Sequence, residues 1–226
     1  MTVRERPSPN CDSRGDQPVD MLVLHYTGMK TAEDALDRLC DPSAEVSAHY
    51  LIDEDGTVWR LVDEAERAWH AGVANWRGAD NINARSIGIE LVNPGHEWGY
   101  RPFPAPQIDA LVPLASDIVG RHGIPARNVV GHSDVAPTRK QDPGELFDWR
   151  ALADEGVGLW PRPGGEKPAI GTDMIGLLDQ IGYATGDLPA AVRAFQRRYR
   201  PSLIDGLADV ECVRLAQAVC GLCEAG

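Results

Sequence analysis

Short apolar runs alternate with amphipathic helical segments over the first 155 residues, and this alternation constrains the fold more than any other feature of the sequence. Residues 21–24 (MLVL) and 86–92 (SIGIELV) are continuous apolar runs of the kind that form buried central strands. Residues 31–39 and 107–122 place apolar side chains at helical spacing. Strands that alternate with helices predict an α/β fold, with a mixed central β-sheet flanked by helices.

Shorter signals complete this pattern. Residues 49–52 and 57–62 predict two strands joined as a hairpin by the turn sequence DEDG at 53–56. Residues 129–130 predict a last short strand. Residues 1–19 are polar and interrupted by proline, so we interpret them as an extended leader without the apolar segment of a secretion signal.

The sequence changes character after residue 158. Three prolines and two glycines lie between residues 160 and 168, which predicts a Pro/Gly linker over residues 159–168. This linker separates a first domain, residues 20–158, from a C-terminal module, residues 169–226. Apolar residues recur at helical spacing in three segments of that module, so it is predicted to be a small three-helix unit; the segments are 172–181, 188–199 and 209–222.

Charge and cysteine content restrict the partners and the compartment. The 22 Lys and Arg against 34 Asp and Glu give a formal net charge of −12, which disfavours nucleic acid as a partner because its phosphates are bound mainly by cations. No stretch approaches the roughly 20 apolar residues of a membrane span, so no membrane partner is predicted. The five cysteines are an odd number, which indicates free thiols and a cytoplasmic protein. A monomer is the default expectation.

Candidate chemistry is concentrated at the ends of three predicted strands. His25 ends the first strand in LHYTG, Glu90 lies in SIGIEL, and the loop GHSDVAPTRKQDPG contains His132, Lys140 and Asp142. Taken singly, each residue has a structural interpretation, such as a hydrogen-bonded histidine, a solvated carboxylate or a turn residue. Taken together, two imidazoles and a carboxylate are the ligands of a catalytic zinc site that leaves one position for water.

Five segments carry a resemblance to a known family: LHYTG, SAHYLIDEDGTVW, WHAG, SIGIELVN and GHSDVAPTRKQDPG. In this order, over about residues 20–155, they resemble the zinc-dependent N-acetylmuramoyl-L-alanine amidases of the amidase-2 type, a group that includes the peptidoglycan recognition proteins. The resemblance implies an α/β amidase that hydrolyses the amide between N-acetylmuramic acid and the L-alanine of the stem peptide. By position it identifies His25, His132 and Asp142 as the zinc ligands.

The same resemblance assigns proton transfer to Glu90 and stabilisation of the oxyanion to Lys140. Because side chains alternate along a strand, Gly88 and Glu90 share one face, opposite the apolar residues of that strand. Lys140 lies two residues before Asp142, so both side chains can point the same way in an extended loop. A cation beside a metal can stabilise a tetrahedral oxyanion.

Four further residues are candidates for substrate binding: Tyr50, His70, Arg85 and Asn93. Tyr50 and His70 match family positions that orient the site or contact substrate, whereas Arg85 and Asn93 are candidates for binding the peptide. Each also has a structural interpretation. His49, next to Tyr50, is interpreted as structural.

The C-terminal module resembles peptidoglycan-binding domain 1, a three-helix bundle, in the segments IGYATGDLPAAVRAFQRRYRP and IDGLAD. Val192, Phe195 and Tyr199 form a core stripe at helical spacing. A basic face is interpreted either as solvated or as a contact with an acidic peptide or with the first domain; it comprises Arg193, Arg197, Arg198 and Arg200.

The predicted function is therefore hydrolysis of muropeptides, with a soluble anhydro-muramyl peptide as substrate and a role in peptidoglycan recycling. Three alternatives stay open. The chain could be a non-catalytic peptidoglycan recognition or sensing module, a zinc peptidase that cuts within the stem peptide, or a periplasmic amidase of wall turnover. The complete set of predicted ligands and proton-transfer residues favours an enzyme over a binding module.

Overall fold

The computed structural model describes residues 3–162 and 173–225. Eight strands are present in this part of the chain: β1 Val3–Glu5, β2 Cys11–Ser13, β3 Met21–Tyr26, β4 Tyr50–Ile52, β5 Val58–Arg60, β6 Glu66–Ala68, β7 Ser86–Leu91 and β8 Val129–Gly131. The α-helices there are α1 Ala32–Cys40, α2 Ile82–Arg85, α3 Gly95–Trp98, α4 Ala105–His122, α5 His132–Val135, α6 Trp149–Asp154, α7 Met174–Ile181, α8 Leu188–Tyr199 and α9 Val210–Ala225. Most of the predicted linker, residues 163–168, and the start of the predicted module, residues 169–172, lie outside the described residues.

Six strands form one mixed sheet in the order β1-β5-β4-β7-β3-β8. The central strand β3 pairs in parallel with β7 on one side and with β8 on the other. Strand β4 is parallel to β7 and antiparallel to β5, as the predicted hairpin requires. The remaining strands, β2 and β6, form a separate antiparallel pair. The predicted α/β fold with a mixed central sheet is confirmed.

Alternation of side chains along β3 divides the core between the two faces of the sheet. Leu22 and Leu24 pack with the apolar side of α4 in one core cluster. Met21 and Val23 point the other way and pack with residues of α7, α8 and α9, such as Phe195. The C-terminal helices therefore share a core with the central strand.

Helix α1 covers another part of the face that the C-terminal helices cover. Leu36 and Leu39 of α1 pack on Leu51 of β4, which pairs in register with Glu90 of β7. Thr31 caps the helix, because its side chain accepts a hydrogen bond from the Asp34 backbone amide at 3.1 Å. The strand face between α1 and the C-terminal helices is left for a site at the carboxyl ends of β3 and β7.

The N-terminal segment contributes two strands that the sequence does not signal. Strand β1 pairs in parallel with β5 at the sheet edge, and β2 pairs with β6. Each is three residues long and polar, so it shows no apolar periodicity. Their neighbours in the sheets, and not local sequence, specify these strands.

Within the two described ranges, no helix has both the length and the apolar character needed to cross a bilayer. All five cysteines are free, and Cys212 and Cys220 are buried in the core around α9. These two thiols therefore serve as apolar core residues.

Candidate active site

Parallel strand ends bring the candidate ligands together. His25 lies near the end of β3 and pairs in register with Glu90 of β7. His132 begins α5 immediately after β8, the strand on the other side of β3. The loop that carries Asp142 returns to this edge, where the Ser133 amide donates a 2.9 Å hydrogen bond to the Asp142 carbonyl oxygen. Open α/β sheets commonly hold their ligands at the carboxyl ends of the strands.

Three ligand atoms converge within this edge. Nδ1 of His25 lies 2.9 Å from Nδ1 of His132, and each nitrogen lies 3.0 Å from Oδ2 of Asp142. All three side chains are buried. This group could hold a metal ion.

Hydrogen bonds on the far side of each imidazole determine which nitrogen carries the proton. Nε2 of His132 lies 3.0 Å from the carbonyl oxygen of Ala71, which can only accept. The proton of His132 is therefore on Nε2, and Nδ1 presents a lone pair to Asp142.

A longer chain of hydrogen bonds has the same effect on His25. The Ser86 hydroxyl donates to the Ile82 carbonyl at 2.6 Å, so its oxygen accepts from Nε2 of His70 at 3.1 Å. Nδ1 of His70 is then an acceptor, and Nε2 of His25 donates to it at 3.0 Å. This leaves Nδ1 of His25 unprotonated as well.

The result is a cluster of acceptors without a donor. Two imidazole lone pairs and a carboxylate oxygen meet at hydrogen-bond distance, and no proton remains to be shared among them in this tautomeric state. Such a cluster is repulsive unless a cation occupies its centre. Two histidine nitrogens and one carboxylate oxygen are also a usual donor set for a divalent metal. The residues present therefore fit a metal ion.

The pKa shifts of His25 and Asp142 also favour metal binding. Burial, followed by the nearby charge of His132, lowers the pKa of His25 to about 4, so its imidazole is neutral at pH 7. Burial alone would raise the pKa of Asp142, but the electrostatic interaction with the two adjacent imidazoles, that of His132 first, outweighs burial and holds that pKa well below its usual range. A neutral imidazole and an ionised carboxylate are the forms that bind metals.

Glu90 lies beside this cluster, and its pKa is shifted in the opposite direction to that of Asp142. Burial raises the pKa of Glu90 to about 8, and the negative charge of Asp142 contributes to the rise. Its Oε2 atom is buried and has no hydrogen-bond partner among the described residues. An uncommitted carboxyl group with a pKa near neutrality can both accept and release a proton, as a general base and acid must.

A cavity of about 360 Å³ opens over these residues. Glu90, His132 and Asp142 line it, and Lys140 lines it from the loop after α5. The positive charge of Lys140 opposes the rise in the pKa of Glu90. The cavity thus places a candidate proton carrier and the positively charged Lys140 beside the candidate metal ligands.

The structure does not bring all predicted substrate contacts to the cavity. His70 lines the cavity, but its ring is buried between His25 and Ser86. Tyr50 lies in the core and donates to Glu64 at 2.7 Å. Arg85 and Asn93 are likewise absent from the cavity lining.

Arg85 and Asn93 have structural partners instead. The Arg85 Nε donates to Asp20 at 2.7 Å. The Asn93 side chain is fully buried and holds a loop, donating to the Arg101 carbonyl at 2.7 Å and accepting from the Gly95 amide at 3.0 Å. Their occurrence near Glu90 in the sequence gave no indication of these contacts.

Sequence reasoning missed the support around His70. A Cβ on Gly88 would lie 2.5 Å from the His70 ring, so only glycine permits this close approach between strand and histidine. Ser86, two residues earlier on the same strand, supplies the hydrogen bond that orients the ring. The period-two spacing of Ser86, Gly88 and Glu90 could have indicated that all three face the site.

Comparison with known proteins agrees with this geometry. Residues 15–145 match the Amidase_2 family, described as N-acetylmuramoyl-L-alanine amidase. The chain is 38% identical over 229 residues to the N-acetylmuramoyl-L-alanine amidase AmiD of Escherichia coli K12, covering 89% of this chain and 82% of AmiD. It is 38% identical over 165 residues to the 1,6-anhydro-N-acetylmuramyl-L-alanine amidase AmpD of Enterobacter cloacae, covering 65% of this chain and 86% of AmpD.

Solved structures extend the likeness to the whole fold. Escherichia coli AmiD, in complex with the substrate anhydro-N-acetylmuramic acid-L-Ala-D-gamma-Glu-L-Lys, superposes with a TM-score of 0.82 at 37% identity and covers 96% of this chain and 93% of that chain. AmpDh3 of Pseudomonas aeruginosa, in complex with anhydromuramic pentapeptide, gives a TM-score of 0.80 at 33% identity and covers 94% of each chain. This chain therefore belongs to the Amidase_2 family of N-acetylmuramoyl-L-alanine amidases, of the type that AmiD and AmpD represent.

Proposed function

We propose that this enzyme hydrolyses the amide bond between 1,6-anhydro-N-acetylmuramic acid and the L-alanine of the stem peptide. The observation that carries the proposal is the convergence of His25, His132 and Asp142 at a cavity that His132 and Asp142 line together with Glu90 and Lys140. Membership of the amidase family and the anhydro-muramyl peptides named for its relatives supply the bond and the substrate class.

We propose zinc as the metal and His25, His132 and Asp142 as its ligands. Support comes from the donor set, because two neutral imidazoles and one carboxylate are ligands that zinc prefers and leave a position open. When bound, zinc polarises the substrate carbonyl and makes water a stronger acid. A His25→Ala variant is expected to lose metal, measured by elemental analysis of the purified protein, and stoichiometric zinc in that variant would contradict the assignment.

Glu90 and Lys140 divide the remaining work in this proposal. The Glu90 carboxylate accepts the proton of the attacking water and then transfers it to the L-alanine nitrogen as the amide bond breaks. The Lys140 ammonium stabilises the negative charge that develops on the carbonyl oxygen. The products are the free acid of the sugar and a peptide with an N-terminal L-alanine.

Mass spectrometry of a digested muropeptide tests the proposal directly. The purified, zinc-loaded enzyme is incubated with anhydro-N-acetylmuramic acid-L-Ala-D-γ-Glu-L-Lys, and the products are identified. Release of the intact tripeptide supports the amidase. Cleavage within the peptide would identify a peptidase, and binding without cleavage would identify a recognition module.

We propose that residues 20–158 carry the amidase site and that residues 169–226 are a module similar to peptidoglycan-binding domain 1. The shared core of α7–α9 and β3 supports a packing and cleft-shaping role for this module over wall anchoring. We further propose that soluble anhydro-muropeptides are cleaved faster than intact sacculi, as recycling requires. Side-by-side digestion of both substrates tests this, and a preference for sacculi would restore a role in wall binding.

We propose a cytoplasmic location and a monomeric enzyme. The five free cysteines support a reducing compartment. Cell fractionation and analytical ultracentrifugation test these two points, and periplasmic recovery would instead support an enzyme of wall turnover.

A further inference from the structure

A second groove, of about 350 Å³, adjoins the cavity. The two share three lining residues of the loop before Asp142, so the groove and the cavity border the same loop. We call it the basic groove. The shared wall is Arg139, Lys140 and Gln141, and the opposite wall consists of Asp187, Arg193 and Arg197 at the N-terminal cap and on the body of α8.

Arg197 is the unusual member of this groove. It is only 8% exposed, yet its guanidinium forms no hydrogen bond with any residue in the described part of the chain, and its Nε is buried without a partner. The nearest carboxylate oxygen, Oε2 of Glu145, lies 3.7 Å from Nε, which is beyond hydrogen-bond length. Both oxygens of Glu145 are already within 3.2 Å of Nε2 of His96.

The adjacent arginine differs at its two terminal nitrogens. Arg198 is also buried, and its Nε likewise has no partner among the described residues, but its terminal nitrogens donate to Asp134 at 2.9 Å and to the Val129 carbonyl at 3.0 Å. A buried charged group without partners is costly, and structures avoid it unless a ligand completes its hydrogen bonds. The contrast indicates that Arg197 is reserved for an acceptor from outside the chain.

The other charges of the groove point to an anion. Arg139 is committed to the backbone carbonyls of Ala71 and Val73, both at 3.1 Å. The one carboxylate on the lining, Asp187, accepts from the Ala190 amide at 3.0 Å as the cap of α8. Arg193 is exposed and has no salt bridge within the described residues. In a chain of net charge −12, two guanidinium groups that form no hydrogen bond within the described residues therefore line one groove.

We propose that Arg197, assisted by Arg193, binds a carboxylate of the stem peptide beyond the scissile amide. The inference rests on the proposed function, since it names how that substrate is recognised. In the peptide L-Ala-D-γ-Glu-L-Lys the γ linkage leaves the α-carboxylate of glutamate free, and the terminal lysine carries a second carboxylate. Arginine pairs with carboxylates through two parallel hydrogen bonds, which gives orientation as well as affinity.

A substrate series measures the proposed contact. Three anhydro-muropeptides are compared: the tripeptide form, the same peptide with the glutamate α-carboxylate converted to an amide, and the same peptide with an amidated C-terminus. For the wild-type enzyme, amidation of the bound carboxylate is expected to raise KM about 10- to 100-fold with little change in kcat, because charge-assisted hydrogen bonds are lost. The sensitive position identifies which carboxylate is bound.

Variants then test whether Arg197 is the residue responsible for the preference for a carboxylate over an amide. Arg197→Gln is expected to raise KM for the tripeptide substrate by the same factor and to abolish the distinction between carboxylate and amide. Arg193→Gln has a smaller effect in the same direction. Arg214→Gln is the matched control, since Arg214 is on α9, outside the groove, and pairs with Glu211. A preference for the carboxylate that persists in Arg197→Gln overturns the proposal.

Calorimetric binding of the product peptide L-Ala-D-γ-Glu-L-Lys to the full chain separates this inference from the proposed function. Weaker binding to Arg197→Gln than to wild type, with partial rescue in Arg197→Lys and an unchanged melting temperature, supports the subsite even if no muropeptide is cleaved. Equal binding to wild type and Arg197→Gln refutes it even if the enzyme is an active amidase.

Discussion

At the scale of single residues, the nitrogen that faces away from the site decides what each histidine can bind. His132 is fixed by the Ala71 carbonyl, and His25 by the chain through His70 and Ser86 to the Ile82 carbonyl. Partners of this kind orient metal-binding histidines and commonly contribute 10- to 100-fold to metal affinity. His70 is therefore a positioning residue for the proposed zinc site.

Removal of this support should weaken metal binding without removing a ligand. His70→Ala, or Ser86→Ala as the milder change, is expected to lower zinc affinity by about 10- to 100-fold, measured by competition with a chromophoric chelator. His96→Ala is a suitable control, because His96 bonds to Tyr26 and Glu145 and not to a candidate ligand. Unchanged zinc affinity in His70→Ala would show that the hydrogen-bond chain does not orient His25.

A variant of Glu90 can test proton transfer without disturbing metal binding. Glu90→Gln keeps the shape of the side chain but removes the proton acceptor, so kcat is expected to fall by roughly 10²- to 10⁴-fold. Zinc content should stay at one per chain, since Glu90 is outside the group of candidate ligands. Activity close to that of wild type in the zinc-loaded variant would remove Glu90 from the mechanism.

At the scale of secondary-structure elements, α8 is attached to the segment that carries His132. Asp134 on α5 accepts hydrogen bonds from Arg198 at 2.9 Å and from the Tyr183 hydroxyl at 2.7 Å, and its partners are buried with it. The guanidinium of Arg198 also stacks on the Trp149 ring, 4.0 Å from its centroid. The helical module thus holds α5 through a buried ion pair located two residues from a candidate metal ligand.

Breaking this buried pair should cost far more stability than breaking a surface pair. Arg198→Met leaves Asp134 charged and without its cation, so the free energy of unfolding is expected to fall by about 3–5 kcal/mol in urea titrations. The control Arg150→Met disrupts the exposed Arg150–Asp154 pair, at 3.9 Å, and should cost no more than about 1 kcal/mol. Equal losses in the two variants would contradict a structural role for the Arg198–Asp134 contact.

The elements with a local signal are the ones that the sequence predicts. The apolar run of β3, the hairpin β4–β5 and the amphipathic α4 all carry their periodicity within a few residues. Strands β1, β2 and β6 do not, because each has three residues and depends on a distant partner. Likewise, the spacing of Arg193, Arg197, Arg198 and Arg200 indicates one basic face. Only the tertiary contacts separate Arg198, hydrogen-bonded to Asp134, from Arg197, which forms no hydrogen bond within the described residues and lies 3.7 Å from Glu145.

In the candidate site, too, some residues could be predicted from the sequence and others could not. Family motifs identified His25, His132 and Asp142, which the fold brings within hydrogen-bond distance of one another. Tyr50 was selected because it matches a family position, and Arg85 and Asn93 because they lie near the Glu90 strand in sequence, but neither criterion says which way a side chain points. Each of the three is held by a neighbour away from the cavity.

At the scale of the whole molecule, buried imidazoles link stability to pH. His49 is fully buried and accepts a hydrogen bond from the Gly88 amide at 3.0 Å, and burial lowers its pKa to about 3. The pKa of His25 is lowered to about 4 for the same reason. An unfolded histidine, with a pKa near 6.5, binds a proton more readily than these folded ones do. The stabilisation is therefore complete above about pH 6.5 and decreases as the pH falls towards 4.

Denaturant titrations of the chelator-treated enzyme at several pH values test whether stability decreases as the pH falls. Between pH 6 and pH 4 the free energy of unfolding should fall by about 1.4 kcal/mol per pH unit for each such histidine. In His49→Gln the free energy of unfolding should fall less steeply with decreasing pH, because one fewer proton is taken up on unfolding. This difference in slope does not depend on the stability of the variant at neutral pH. Identical slopes in the two proteins would exclude His49 as a source of acid sensitivity.

The buried contact between Asp134 and Arg198 also has a consequence for synthesis of the protein. The two residues are 64 positions apart, so the carboxylate is synthesised several seconds before its guanidinium partner, at roughly 5–20 residues per second. During that interval the nascent sheet also lacks the helices that cover Met21 and Val23. Truncated chains that end before α8 would expose both features together, and they should be recognised by chaperones and degraded by proteases.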